Sequence, residues 1–351
     1  MNTRGTVRLA TRGSRLARRQ ARLVADRLES RRMDVEVVTV ETTGDQLRDE
    51  LIHQLGTTGA FVRELDEQVL DGTVDAAVHS LKDVPTEQPP ALVTAAVPER
   101  SSPGDVLVTP DGRPLADLPR EARVGTASLR RGAQLRRARE DLEVVPIRGN
   151  VDTRLEKLLG PWLADEQAET DEEDWRAERS DLELAALERD HEERLDAVVL
   201  ARAGLERSDL AEEVSWQPLP VEQFPPAPGQ GTLAVSAREG EDLAETLHGI
   251  LDHPRSRVEA TVERTILAEL GGGCIAPIGI HAVVRGEHVH TSVGVYSRDG
   301  TEAITAARDL PIERHPAAAR DLAVELAEEG ARELIETART DGNAGRREGG
   351  S

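Results

Sequence analysis

The chain has one cysteine, one tyrosine, two phenylalanines and, at Lys82 and Lys157, two lysines among 351 residues. A lone cysteine excludes an internal disulfide framework. No apolar run approaches the ~18–20 residues that span a bilayer. The segment from Met1 to Arg8 has no apolar core of the kind that marks a secretory signal. A cytoplasmic protein without a membrane partner is the expectation. Positive charge is scarce overall, with 44 basic residues against 66 acidic ones and a net charge of −22. That balance argues against nucleic acid as a general partner.

What is present suffices for a folded protein. Some 38% of the residues are apolar, and a chain of this length holds two or three domains with real cores. The acid-rich, lysine-poor composition reads as a strongly hydrated surface suited to a high-salt cytoplasm, a halophilic character. The alternative is an ordinary acidic protein. Charge is unevenly spread: residues 1–34 carry +7, residues 120–154 carry +4 and residues 165–195 carry −10. Arginine-rich stretches inside an acidic protein point to an anionic ligand.

Periodicity predicts a strand from Val7 to Thr11, a helix from Arg15 to Glu29 capped by Ser14, and a strand from Val35 to Val40, a βαβ start that implies a parallel sheet. A helix from Phe61 to Leu70 and strands at Ala76–Val78 and Leu92–Val97 follow. A charged, Pro-bearing stretch from Pro98 to Pro103 is a candidate hinge. The pattern then restarts with strands at 106–108, 123–128, 144–147 and 197–201 and a helix from Leu129 to Ala138. Two similar α/β units suggest two lobes around a cleft. Residues 160–195 read as an acidic surface insertion that opens on a turn at Gly160-Pro161. A third, smaller α/β unit begins near Leu251, with a helix to Leu270, an antiparallel sheet and one last helix from Pro316 to Thr337. The polar tail from Asp341 is expected to be disordered. The expected limits are 1–98 with 232–249, then 99–231, then 250–340, with 341–351 as the tail.

Four segments carry chemistry. Thr11-Arg-Gly-Ser14 places Arg12 and Ser14 at a strand end beside a helix N-terminus, where anions are favoured; a plain helix cap is the alternative. His79-Ser-Leu-Lys-Asp-Val-Pro85 follows a buried strand and lands at a sheet's carboxyl edge. There Asp83 is a candidate proton carrier and Lys82 a carboxylate holder, or the two are a surface ion pair. Gly125-Thr-Ala-Ser-Leu-Arg-Arg131 and Arg148-Gly-Asn-Val-Asp-Thr-Arg154 set arginines just after strands, where bidentate grip on several carboxylates competes with a solvated arginine face. Gly271-Gly-Gly-Cys274 permits a tight loop that presents the thiol openly as nucleophile or covalent anchor; a buried structural cysteine is the alternative.

Six motifs in order resemble the porphobilinogen deaminase (hydroxymethylbilane synthase) family. They are Ala10-Thr-Arg-Gly-Ser14, Ala77-Val-His-Ser-Leu-Lys-Asp-Val-Pro85, Val124-Gly-Thr-Ala-Ser-Leu-Arg-Arg131, Ile147-Arg-Gly-Asn-Val151 with Thr153-Arg154, Pro228-Gly-Gln-Gly231, and Gly272-Gly-Cys274 with Pro277-Ile-Gly279. The resemblance runs from about Arg8 to Gly330. It implies an α/β fold of two lobes like type II periplasmic binding proteins plus a smaller C-terminal α+β domain. It also implies a dipyrromethane cofactor in thioether linkage to Cys274. Four porphobilinogen molecules add to it head to tail, each losing ammonia, and water releases hydroxymethylbilane.

By position, the resemblance makes Asp83 the acid–base residue, which assists ammonia loss and steadies the azafulvene cation. Lys82, Ser80, Ser128, Arg130 and Arg131 fall to the cofactor; Arg12, Ser14, Gln20, Phe61, Arg148 and Arg154 fall to the substrate and growing chain. No metal is implied, and the family suggests a monomer. Two departures stand out. Thr58-Gly-Ala-Phe61 replaces a Gly-Lys-Gly-Leu-Phe loop, and Leu-Gly-Gly-Gly-Cys-Ile-Ala-Pro replaces Glu-Gly-Gly-Cys-Gln-Val-Pro. The rival reading, a two-lobed anion-binding protein without catalysis, needs neither Cys274 nor Asp83.

Overall fold

The computed structural model describes residues 5–40, 60–170, 175–190, 193–272 and 276–348, with the side chains of 60, 61 and 341–348 outside that description. Strand β1 (Val7–Arg12) ends one turn before helix α1 (Arg15–Glu29). Ser14 starts the helix: its backbone is extended and its hydroxyl accepts from the Ala17 N–H at 3.2 Å. Ala21, Val24, Ala25 and Leu28 recur at helical spacing and are buried against the sheet. The chain returns as β2 (Val35–Val40), parallel to β1. Helix α2 (Ala60–Leu70), β3 (Ala76–Ser80) and β4 (Leu92–Ala96) complete this part of the first lobe.

The second lobe repeats the plan. It holds β5 (Asp105–Val108), β6 (Arg123–Gly125), α3 (Leu129–Ala138), β7 (Glu143–Val145), α4 (Val151–Glu169), α5 (Asp181–Glu188), β8 (Ala197–Ala201), α6 (Arg202–Arg207) and β9 (Trp216–Pro218). The chain then crosses back into the first sheet as β10 (Leu233–Arg238), followed by α7 (Asp242–Leu251). Strand order is β2-β1-β3-β10-β4 in one sheet and β7-β6-β8-β5-β9 in the other.

The sheets are mixed rather than parallel as the βαβ start implied. β1, β2 and β3 run parallel, but β10 is antiparallel to both its neighbours, and β5 likewise in the second sheet. In each lobe the reversed strand is the one that arrives from the other lobe, so the two crossings dictate its direction. The result is two α/β lobes, each on a five-stranded mixed sheet, as the two similar units in the sequence suggested.

The third unit packs α8 (Pro254–Glu269) and α9 (His315–Glu328) on an antiparallel sheet of β11 (Ile278–Arg285), β12 (His288–Tyr296) and β13 (Ala303–Pro311). The single last helix of the sequence reading is broken: α10 (Ala331–Glu348) begins after Gly330, whose φ of 100° no ordinary helical residue adopts. This helix continues to Glu348, through the stretch read as a disordered tail. Extending a helix already nucleated by buried Ala331, Leu334 and Ile335 takes one residue at a time, and this stretch has no proline to stop it.

The turn read at Gly160-Pro161 is also absent. Helix α4 runs through both residues, although proline there removes a helical hydrogen bond. Packing outweighs that loss. Leu155, Leu158 and Leu163 are buried, and Trp162 Nε1 donates to Leu195 O at 3.1 Å. Helices α4 and α5 then close on Leu163, Trp175 and Ala186 as a small core of their own.

Both interlobe crossings and the third unit meet at one buried carboxylate. Glu263 of α8 accepts from Arg100 Nη1 at 2.7 Å and Nη2 at 3.1 Å, from Gly229 N at 2.7 Å and from Ala282 N at 2.8 Å. Arg100 lies on the first crossing, Gly229 on the second and Ala282 in β11. The Arg100 and Glu263 side chains are 5% and 0% exposed. Removing one partner of such a pair leaves an uncompensated buried charge. Glu263→Gln is expected to cost about 3–5 kcal/mol, whereas breaking the exposed Arg314–Asp321 pair with Asp321→Asn is expected to cost less than about 1 kcal/mol. Urea denaturation of the two variants checks this, and equal losses would contradict the role given to Glu263.

Candidate active site

Four loops leave the carboxyl ends of parallel strands, where open α/β sheets bind ligands. Arg12 ends β1, and Gly13-Ser14 carries the chain into α1. Ser80 ends β3, and Leu81–Asp83 form one 3₁₀ turn. In the second lobe, Ser128 caps α3 just beyond β6, its hydroxyl accepting from Arg131 N at 3.4 Å. Arg148 lies between β7 and α4, whose first turn holds Arg154.

The two sets face each other. Arg15 of the first lobe stands 3.8 Å from Asp152 of the second, and Arg19 pairs with Asp209. The edge carrying Arg12 and Ser14 is thus brought against the edge carrying Arg148 and Arg154, which are more than a hundred residues away in sequence.

Lys82 Nζ donates to both Asp83 oxygens, at 2.7 and 2.9 Å. Their side chains are 37% and 39% exposed, so the pair is open to a ligand. The turn is pressed from behind by the second crossing: Gly229 has φ 75°, and a Cβ there would stand 3.1 Å from Lys82 N. Below it, buried His79 Nε2 meets buried Asp66 Oδ1 at 2.9 Å, tying β3 to α2. Gln20 is buried on α1. Phe61 is in the first turn of α2, but its side chain lies outside the described residues, as do Thr58 and Cys274.

Arg130 and Arg131 hold a carboxylate of the protein itself. Arg130 Nη1 stands 2.8 Å from Asp105 Oδ2, and Arg131 Nη2 is 2.8 Å from Asp105 Oδ1. Burial alone raises the Asp105 pKa, but the fields of Arg130 and then Arg131, with their hydrogen bonds, hold it down at about 2. Gln230 Nε2 also donates to Asp105, at 2.9 Å. The reading of these arginines as direct ligand holders met side chains turned into the lobe, because an acid opens the buried strand β5. That acid before Val-Leu-Val was the available signal; the inward path of the two arginines was not visible in sequence.

Two guanidinium groups against one carboxylate leave net positive charge behind the cleft. Arg154 feels it: burial first, and Arg131 second, lower its pKa to about 10. Its Nε donates to Gly149 O at 2.9 Å, an interaction that fixes the arm without neutralising it. Such a site gains from an anion. Guanidinium, ammonium and hydroxyl groups are the donors that suit a ligand with several carboxylates, so these residues fit a dipyrromethane bearing acetate and propionate arms.

Comparison with known proteins agrees with this chemistry. The family model described as porphobilinogen deaminase, dipyrromethane cofactor binding domain, matches residues 7–165 and 180–246. The model of the porphobilinogen deaminase C-terminal domain matches residues 258–331. A "probable porphobilinogen deaminase" of Halobacterium salinarum is 48% identical, covering 95% of this chain and 98% of its own. A "porphobilinogen deaminase" of Syntrophomonas wolfei is 40% identical over 86% of this chain and 89% of its own. The solved methionine-binding protein MetQ aligns with 70% of this chain and 89% of its own at 10% identity and a TM-score of 0.37. With both family models matched in order, and with nearly half of its residues shared with a full-length relative, the chain belongs to the porphobilinogen deaminase family.

Proposed function

We propose that the protein is a hydroxymethylbilane synthase, which joins four porphobilinogen molecules head to tail with loss of ammonia and releases hydroxymethylbilane, in tetrapyrrole (haem) biosynthesis. The observation that carries this is the open Lys82–Asp83 pair on a turn braced by Gly229, at the carboxyl end of β3. A binding protein has no use for a carboxylate there.

Each residue has a part. Arg12, Ser14, Arg148 and Arg154 grip substrate carboxylates from the two edges, and Gln20 and Phe61 are assigned to the same substrate by the family resemblance. Lys82, Ser80 and Ser128 face the cofactor, and Arg130 with Arg131 adds charge from behind Asp105. The bound dipyrromethane supplies the pyrrole carbon to which the first substrate is joined, and Cys274 anchors it. Asp83 gives a proton to the substrate's aminomethyl nitrogen as ammonia departs. Its carboxylate then faces the cation left on the substrate and takes up the proton released when the pyrrole ring regains aromaticity. Lys82, bonded to both oxygens, fixes the carboxylate's plane.

Finer readings follow the same logic. We place the unit limits near residues 98, 231 and 250. No helix among the described residues is long and apolar enough to cross a membrane, which agrees with a cytoplasmic enzyme, and the family suggests a monomer. The charge of −22 supports a halophilic protein.

Asp83→Asn is expected to keep the added mass of two pyrrole units by intact-mass spectrometry while kcat falls about 100-fold or more; undiminished turnover would remove Asp83 from the mechanism. Cys274→Ser is expected to lack that mass, and a fully active, normally loaded variant would place the anchor elsewhere. Raising potassium chloride from 0.1 to 2 M is expected to raise the unfolding temperature, since self-repulsion is screened over a Debye length that shrinks from ~10 Å to under ~3 Å. A monotonic fall would contradict the halophilic reading.

A further inference from the structure

A cavity of about 320 Å³ lies on the far side of the catalytic turn, between the first lobe and the third unit. Its wall on α8 carries Arg257, Thr261, Arg264 and Thr265, at spacings that place them on one helix face. Thr94 of β4 and Thr86 of the loop after the turn line the opposite side. Arg320 and Glu269 close the rim as a pair at 2.7 Å. Arg257 is paired with Asp252 at 2.7 Å. Three guanidinium groups thus stand with two carboxylates, a positive balance in a protein of −22. Thr261 turns its hydroxyl back to Arg257 O at 2.7 Å and Thr94 donates its own to Gln88 Oε1 at 3.3 Å, which leaves Thr86 and Thr265 to supply the hydroxyl donors.

We propose that this cavity is a second anion site, distinct from the cleft, that takes a small oxyanion such as phosphate or a short dicarboxylate. Converging guanidinium and hydroxyl donors are the chemistry that recognises such groups, and the volume lies at the small end of ligand pockets. The site reports to the catalytic turn. Leu81, the first residue of that turn, lines the cavity. Arg264 donates to Val84 O at 2.9 Å and to Pro85 O at 2.6 Å, holding the loop that leaves Asp83. An anion on Arg264 draws on the guanidinium that anchors this backbone. Occupancy therefore shifts the position of Asp83, which makes the two sites coupled. The coupling rests on the role given to Asp83; the binding does not.

The test titrates the cofactor-loaded enzyme with inorganic phosphate and, separately, with succinate, at ionic strength held constant with potassium chloride. Calorimetry is expected to show binding to the wild type, weakened at least about tenfold in Thr86→Val/Thr265→Val and retained in Thr265→Ser. Without added anion, turnover of these variants is expected to match the wild type. With it, the wild type's turnover changes and the double variant's does not. A response to one anion alone identifies the source. Absence of wild-type binding, or binding equally strong in the double variant, overturns the site, the latter by placing the anion on the cleft arginines. Binding without any change in turnover overturns the coupling. A wild type inactive even without anion would instead refute the synthase reading and leave the calorimetry intact.

Discussion

The molecule depends on a single carboxylate, Glu263, that four N–H donors from both interlobe crossings and the third unit converge upon. A fully buried ion pair is poor evidence for net stability, because desolvation consumes most of the attraction. Its value is geometric. Four donors at 2.7–3.1 Å leave the carboxylate one satisfying arrangement, and that arrangement brings both interlobe crossings against the third unit. From Arg100 the network continues through Gln230 O to the Gln230 amide, which reaches Pro103 O, Gly104 O and Asp105. Asp105 in turn holds Arg130 and Arg131. One connected set of polar groups therefore links the third unit to the base of α3, whose first residues frame the cleft.

That network also organises charge. The surface is acidic, yet the arginine-rich stretches 1–34 and 120–154 touch where Arg15 approaches Asp152. A ligand with several carboxylates is thus repelled by the exterior and attracted by one interior edge. The buried Asp105 keeps two arginines folded beside each other, and Arg154 stands near them, its pKa lowered first by burial and then by Arg131. The acidic insertion stays outside this arrangement. Its helices close on Trp175, with Arg179 stacked 4.4 Å from that ring, and the family model passes over residues 166–179.

Most element positions were legible, since periodicity and caps are local: Ser14 and Ser128 announce α1 and α3 by side-chain chemistry acting three residues on. The failures share a cause. Gly160-Pro161 has every local mark of a turn, but the buried leucines around it keep it helical. Residues 232–249 were assigned to the first unit, but β10 was not read as a strand, because its partners, β3 and β4, lie more than a hundred residues earlier. Asp66, Asp105 and Glu263 were missed because each is an unremarkable acid until its distant partner is in place.

The sequence by itself determined the chemistry on offer: a lysine retained beside an aspartate where arginine is otherwise the rule, arginines set just after strands, and a lone cysteine behind glycines. Those are properties of residue type and local spacing, and they survive in one dimension. Tertiary structure decided which of these groups stay exposed and which pair with the protein. Lys82 and Asp83 are left open at the cleft, while Arg130 and Arg131, equally plausible in sequence, are drawn inward by Asp105. The reason is that burial and pairing depend on which strands come together, and only the two crossings decide that.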